Sequence, residues 1–223
     1  MSFKVEFKNY LDDLHKSLCE VSDWMYENPE LGFQEFKTSK HLVDYIQKNS
    51  KSVNYPSHGL ETAFDVTFGE DGPLVVICVE YDALPEIGHA CGHNIIATAS
   101  IGAGLGLKDI ASKLGIRVKL LGTPAEEGGG GKIILINEGA FEDASCSMMI
   151  HPGYEDVVNP TFTTIQQYTV EYFGKDAHAA GAPDQGINAL DAQIQLFVNA
   201  STYRQQMVQS NRMHGVIREG GFK

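Results

Sequence analysis

Apolar residues recur at helical spacing between Val5 and Glu27 (Leu11, Leu14, Leu18, Val21, Trp24, Met25), and Asn28-Pro29 ends the run. A second amphipathic helix is expected over Glu35–Lys48, with Phe36, Leu42, Val43 and Ile46 on one face. The pattern then changes to strands at Thr62–Phe68 and Leu74–Glu80. The second is continuously apolar, as a strand covered on both faces should be. A Gly- and Ala-rich helix is expected from Asn94 to about Ala111, and a buried strand over Ile116–Leu121. Lys132–Glu138 reads as a short helix and Cys146–Ile150 as a further strand. Strands alternating with helices predict an open α/β sheet, whose sites lie at the carboxyl ends of its strands.

After Pro160 the pattern differs. Gln167–Phe173 alternates apolar and polar residues like a half-exposed antiparallel strand, Asn188–Val208 is a long amphipathic helix, and Met213–Ile217 reads as the next strand. Residues 1–160 are therefore assigned to one α/β domain and 161–223 to the start of a second, α+β domain.

The chemistry gathers at the predicted strand ends. Gly88-His89-Ala90-Cys91-Gly92-His93-Asn94 follows one strand, Glu126-Glu127 another, and His151 a third. Thiolate, imidazole and carboxylate are the protein groups that bind zinc and related divalent ions. Gly92 lets Cys91 and His93 converge, although a buried cysteine beside a helix-capping histidine has the same spacing. Adjacent carboxylates in an apolar setting repel, so one of Glu126 and Glu127 should be neutralised by a cation or titrate high; a solvated acidic turn is the plainer reading. His151 alone would be an ordinary core histidine. Asp82, which also ends a strand, can orient a ligand histidine. His89 lies across the turn and is read as structural, and His178 sits on a turn outside the first domain.

The formal charge of −12 leaves no basic face for nucleic acid and suits an anionic membrane poorly. No apolar run nears the ~18 residues a bilayer crossing needs. The N-terminus has no signal-peptide pattern, and the four cysteines lack framework spacing, which points to the cytoplasm.

Read in order, Tyr26-Glu27-Asn28-Pro29-Glu30-Leu31, Asp82-Ala83-Leu84-Pro85, His89-Ala90-Cys91-Gly92-His93-Asn94, Pro124-Ala125-Glu126-Glu127-Gly128 and Gly174-Lys175-x-x-His178-Ala179 resemble the amidohydrolase branch of the aminoacylase/carboxypeptidase metallopeptidases. Longer matches at Glu80–Gly88, Leu121–Glu127 and Tyr203–Met207 are similar to the Xaa-Arg dipeptidase (β-alanyl-lysine dipeptidase) group. The resemblance implies a metallopeptidase catalytic domain carrying an inserted ferredoxin-like lid that forms a homodimer. It also implies two divalent ions, zinc or manganese, and hydrolysis of dipeptides with a basic C-terminal residue. Hydrolysis of N-acyl or aminobenzoyl amino acids is the alternative. By motif, Cys91, His93, Glu127 and His151 match metal ligands and Glu126 the general base. His178 matches a lid histidine that stabilises the oxyanion in the partner's site. Family chains continue past the point where this one ends, completing the lid and supplying a last ligand histidine. Ending at Lys223, this chain is read as truncated and, alone, as inactive; a non-catalytic dimerisation partner is the alternative from another class.

Overall fold

The computed structural model describes residues 2–50, 52–158 and 160–222. Two compact units divide it, Met1–Val157 and Val158–Lys223.

The first unit begins with α1 (Phe3–Glu27) and α2 (Phe36–Asn49). Strands β1 (Phe64–Phe68) and β2 (Leu74–Val79) follow, then α3 (His93–Leu107) and the short α4 (Ala111–Leu114). β3 (Arg117–Gly122), α5 (Gly131–Asn137) and β4 (Ala144–Met148) complete it. The expected Asn94–Ala111 helix is broken after Leu107, where Lys108 and Ile110 turn back onto Leu105 and Leu107 through tighter backbone bonds.

The strands form one open sheet in the order β1-β3-β2-β4, with β2 parallel to both neighbours and β1 antiparallel to β3. Strand alternation sends Ile77 and Val79 into a core with α1, α2 and α3, while Leu74, Val76 and Cys78 join Leu121 and Leu135 on the other face. Burial on both faces is why β2 reads as an unbroken apolar run. α3 lies between α1 and the sheet, and its glycines admit both neighbours. A Cβ at Gly102 would come within 2.9 Å of Leu18, one at Gly106 within 2.6 Å of Phe7, and one at Gly104 within 2.5 Å of Leu120. β1 and β4 are the edge strands, and most of β4 is exposed.

In the second unit α6 (Ala189–Tyr203) is capped by Asn188, whose Oδ1 accepts from the Leu190 and Asp191 amides at 3.0 and 3.3 Å. Lys175 and Ile187 pair as an isolated bridge. The strands expected at Gln167–Phe173 and Met213–Ile217 do not form. Alternation specifies a strand only where a neighbour supplies the ladder, and neither segment has one among the described residues. Lys223, on which the expectation of a truncated chain rests, lies outside the described residues. No helix among those described is long and apolar enough to cross a membrane.

Candidate metal centre

Three parallel strands, β3, β2 and β4, end side by side, and the chain just past each carries the polar residues of the site. Past β2, period-two alternation persists for three residues. Tyr81 turns into the core, stacks on Phe64 and donates to the Thr62 carbonyl at 2.6 Å. Glu80 and Asp82 turn the other way, toward His93. All three are buried.

His93 is the first residue of α3, and Gly92 before it takes a left-handed conformation (φ 77°). A Cβ there would lie 3.0 Å from Pro152, so glycine also allows this loop to close on the chain after His151. Past β3, Thr123 ties back to the Val79 carbonyl through its amide (2.8 Å) and hydroxyl (3.0 Å). Ala125 then adopts φ 54°, unusual for a residue with a Cβ. Glu35 holds it there: one oxygen accepts from the Ala125 amide at 2.8 Å, the other from the Thr62 hydroxyl at 3.0 Å. The Glu127 amide donates to Asp82 Oδ2 at 2.8 Å. The acidic pair is thus presented by backbone contacts to two buried carboxylates.

His93 Nδ1 donates to the Asp82 carbonyl (2.9 Å) and Oδ1 (3.1 Å). That bond fixes the ring and leaves Nε2 buried and without a hydrogen-bond partner. Burial works downward on the His93 pKa, but the bond to Asp82 and the nearby carboxylates prevail and raise it. Around Nε2 stand Glu80 Oε2 at 3.4 Å and Glu126 Oε2 and Glu127 Oε1, both at 3.9 Å. His151 meets the His93 ring edge-on, with centroids 5.9 Å apart, and uses its Nδ1 on the Pro152 carbonyl at 2.8 Å. Metal–donor bonds of about 2.0–2.3 Å put neighbouring donors of one tetrahedral ion roughly 3.3–3.8 Å apart, so this spacing suits a cation better than hydrogen bonds. Two donor groups meet that description, Glu80–His93–His151 and His93–Glu126–Glu127, each with its ligand atoms within 4.8 Å of one another.

Cys91 belongs to neither group and instead faces Glu127. That hydrogen bond, then burial and the surrounding carboxylates, push its thiol up to about 11. Burial also raises Glu126, with Glu80 and Glu127 adding to the effect and Lys132 and His93 opposing it. For Asp82 burial works upward, but the bonds from His93 and the Glu127 amide prevail and hold it below its ordinary value. His89 is buried, which lowers its pKa, and it joins neither donor group. His178 lies in the second unit, where its Nδ1 accepts from the amides of Ala180 (3.2 Å) and Gly181 (2.9 Å).

Sequence reasoning left Glu35 and Glu80 out of the site. An acidic residue before a helix reads as a complement to its dipole. One directly after an apolar strand reads as the return to solvent. Only the burial of both carboxylates distinguishes them.

No family model matches the chain. The Xaa-Arg dipeptidase of Mus musculus is 39% identical over 227 residues, which take in 96% of this chain and 53% of that protein. One of the polypeptides of the p-aminobenzoyl-glutamate hydrolase of Escherichia coli (strain K12) is 28% identical over 240 residues, 97% of this chain and 50% of that one. Among solved structures, the Bacillus subtilis YXEP protein, described as a dinuclear metal binding peptidase, matches with a TM-score of 0.54 and 25% identity over 61% of this chain and 42% of that one. An open α/β sheet with carboxylates and imidazoles at its carboxyl edge is the architecture of a metallopeptidase. The chain is a homologue of the Xaa-Arg dipeptidases, and its structural neighbours are metallopeptidases of the M20 family. It spans about half the length of the curated relatives it matches.

Proposed function

We propose that the protein hydrolyses the amide bond of dipeptides whose C-terminal residue is basic, using two divalent ions, zinc or manganese. The observation that carries this reading is the buried, unpartnered Nε2 of His93 facing carboxylate oxygens at 3.4–3.9 Å, Glu126 among them. Cys91, His93, Glu127 and His151 are the proposed ligands. A bound divalent ion would supply a Lewis acid for the scissile carbonyl and acidify a nearby water. Glu126 is the proposed general base. Its side chain is 43% exposed, within reach of solvent and substrate, and its raised affinity for protons suits it to take one from water and return it to the leaving amine. Asp82 fixes the His93 ring, and Glu35 sets the turn that aims Glu126. His178 would meet the developing oxyanion in the partner's site through Nε2, since its Nδ1 already accepts two amides.

Residues 161–223 are proposed to begin a lid through which the protein dimerises. The four cysteines, all free, support a cytoplasmic setting. Hydrolysis of aminobenzoyl or N-acyl amino acids is the second reading, favoured by the similarity to the aminobenzoyl-glutamate hydrolase.

Two substitutions test the roles. Glu126→Gln should keep bound metal while kcat falls at least ~100-fold, because an amide cannot accept the proton. Glu127→Ala should lower metal content as well. A Glu126→Gln enzyme within a few-fold of the parent would sink the base assignment. β-Alanyl-lysine assayed against aminobenzoyl-glutamate separates the substrate readings, and a higher kcat/KM for the latter would replace the first with the second.

A further inference from the structure

The chain between β2 and α3 carries three carboxylates, Glu80, Asp82 and Glu86. Glu80 and Asp82 are buried and paired, the first with Lys132, the second with His93 and the Glu127 amide. Glu86 is exposed, and its carboxylate has no hydrogen bond or ion pair among the described residues. It stands at the tip of a turn that the backbone closes twice. Leu84 and Gly88 exchange amide-to-carbonyl bonds of 2.9 and 3.1 Å, and inside them the Ile87 amide donates to the Pro85 carbonyl at 2.8 Å. The residue enclosed by that inner bond is Glu86, with φ 67°.

A three-residue turn with a positive central φ is the rare and strained form of the γ-turn. Glycine adopts it freely, whereas glutamate does so against its Cβ, and an exposed side chain recovers nothing by burial. Strain at the rim of a site, with no contact inside the protein to offset it, points to a contact made with a ligand. The turn is tied into that rim. Leu84 lies two residues past Asp82, and Gly88 lies three residues before Cys91. Four residues of chain hold Glu86 within at most ~14 Å of Asp82, Cα to Cα. Gly88 rests on Pro29, whose ring a Cβ there would meet at 3.8 Å.

Resting on the dipeptidase reading, we propose that Glu86 is a specificity-determining residue: its carboxylate receives the ammonium or guanidinium of the substrate's basic C-terminal residue. Its neighbour Ile87 is 65% exposed. A lysine or arginine side chain is an apolar stem ending in a cation, and the two adjacent residues offer one contact to each part. Other carboxylates nearby are engaged within the fold. Glu35 holds the Ala125 amide, and Glu30 accepts from the Lys37 and Thr38 amides at 3.3 and 2.7 Å. Glu126 and Glu127 serve the reacting bond in the reading above. Because Glu86 is hydrated when no substrate is bound, a neutral side chain is not repelled; it gains less.

The test compares β-alanyl-lysine with β-alanyl-norleucine, which lacks only the ammonium-bearing end. Both are assayed on metal-loaded wild type, Glu86→Gln and Glu86→Gly. Wild type should prefer the lysine dipeptide. Both variants should lose roughly 10-fold in kcat/KM on it, through KM rather than kcat, while the norleucine dipeptide changes less than about 2-fold. Glu86→Gly, relieved of the strain, should be at least as stable as wild type in urea, which a purely structural glutamate would not allow. Calorimetric titration with the products, L-lysine and L-norleucine, should show the same loss without turnover. A variant of either kind that keeps the lysine preference overturns the assignment and leaves the dipeptidase reading intact. A wild type that cleaves the two dipeptides equally, or neither of them, overturns the basic-residue reading and this assignment with it.

Discussion

Glu35 supports the site at the greatest remove from the chemistry. It is fully buried, and the two groups it accepts from, the Ala125 amide and the Thr62 hydroxyl, would be left unsatisfied by Glu35→Ala. That substitution should cost about 2–4 kcal/mol in urea unfolding. Glu35→Gln keeps one acceptor and should cost far less. Burial, the largest influence on this carboxyl, raises its pKa above 4.5 despite its hydrogen bonds. The native state then holds a proton at pH values where the unfolded chain has released it. Stability contributed this way is complete below 4.5 and is lost as pH rises through the elevated native value. Unfolding free energies measured from pH 4 upward should show this decline in wild type and not in Glu35→Gln. Parallel pH profiles for the two proteins would contradict it. The residues legible from sequence alone were those whose chemical type is uncommon in a loop, Cys91, His93 and the Glu126-Glu127 pair. Glu35 and Glu80 were not legible, because a carboxylate becomes significant only when its partner is known. For Glu80 that partner is Lys132, 52 positions along the chain.

Among the elements, α3 carries the tightest packing. Replacing Gly104 by alanine adds helix propensity, worth up to ~1 kcal/mol. It also drives a Cβ to 2.5–2.7 Å from the branched end of Leu120, beneath which the sheet is already filled. Overpacking of this kind typically costs about 1–3 kcal/mol, so the net change should be destabilising. A Gly104→Ala protein with an unchanged or higher urea midpoint would show that α3 can move off the sheet. Periodicity located the helices and strands of the first unit to within a few residues, the short α4 excepted, because most of them bury a face against something near it. It failed at Gln167–Phe173 and Met213–Ile217, where alternation is present and no ladder partner accompanies it among the described residues. A strand is a property of two segments, and one segment read alone supplies half of it.

For the molecule as a whole, the two units differ in how much of their backbone is engaged. β2 and β3 are hydrogen-bonded on both sides and buried, whereas the described residues 160–173 lie in no helix or strand, and α6 buries none of its residues. Amide hydrogen exchange should therefore be slowest at Val76–Val79 and Val118–Leu121 and nearly unprotected across 160–173. Comparable protection in the two regions would contradict the described arrangement. Within the first unit the weakest member of the sheet is β4. It touches only β2, and its register slips between Leu74 and Val75. Yet the chain leaving this strand delivers His151 to the cluster. The donor set is thereby anchored to the part of the sheet that frays first. A cation held across it would fasten that border like a clasp, and chelation would undo it. Warming or mild urea should then abolish the proposed hydrolysis well before far-ultraviolet ellipticity changes, and excess Zn²⁺ should draw the two transitions together.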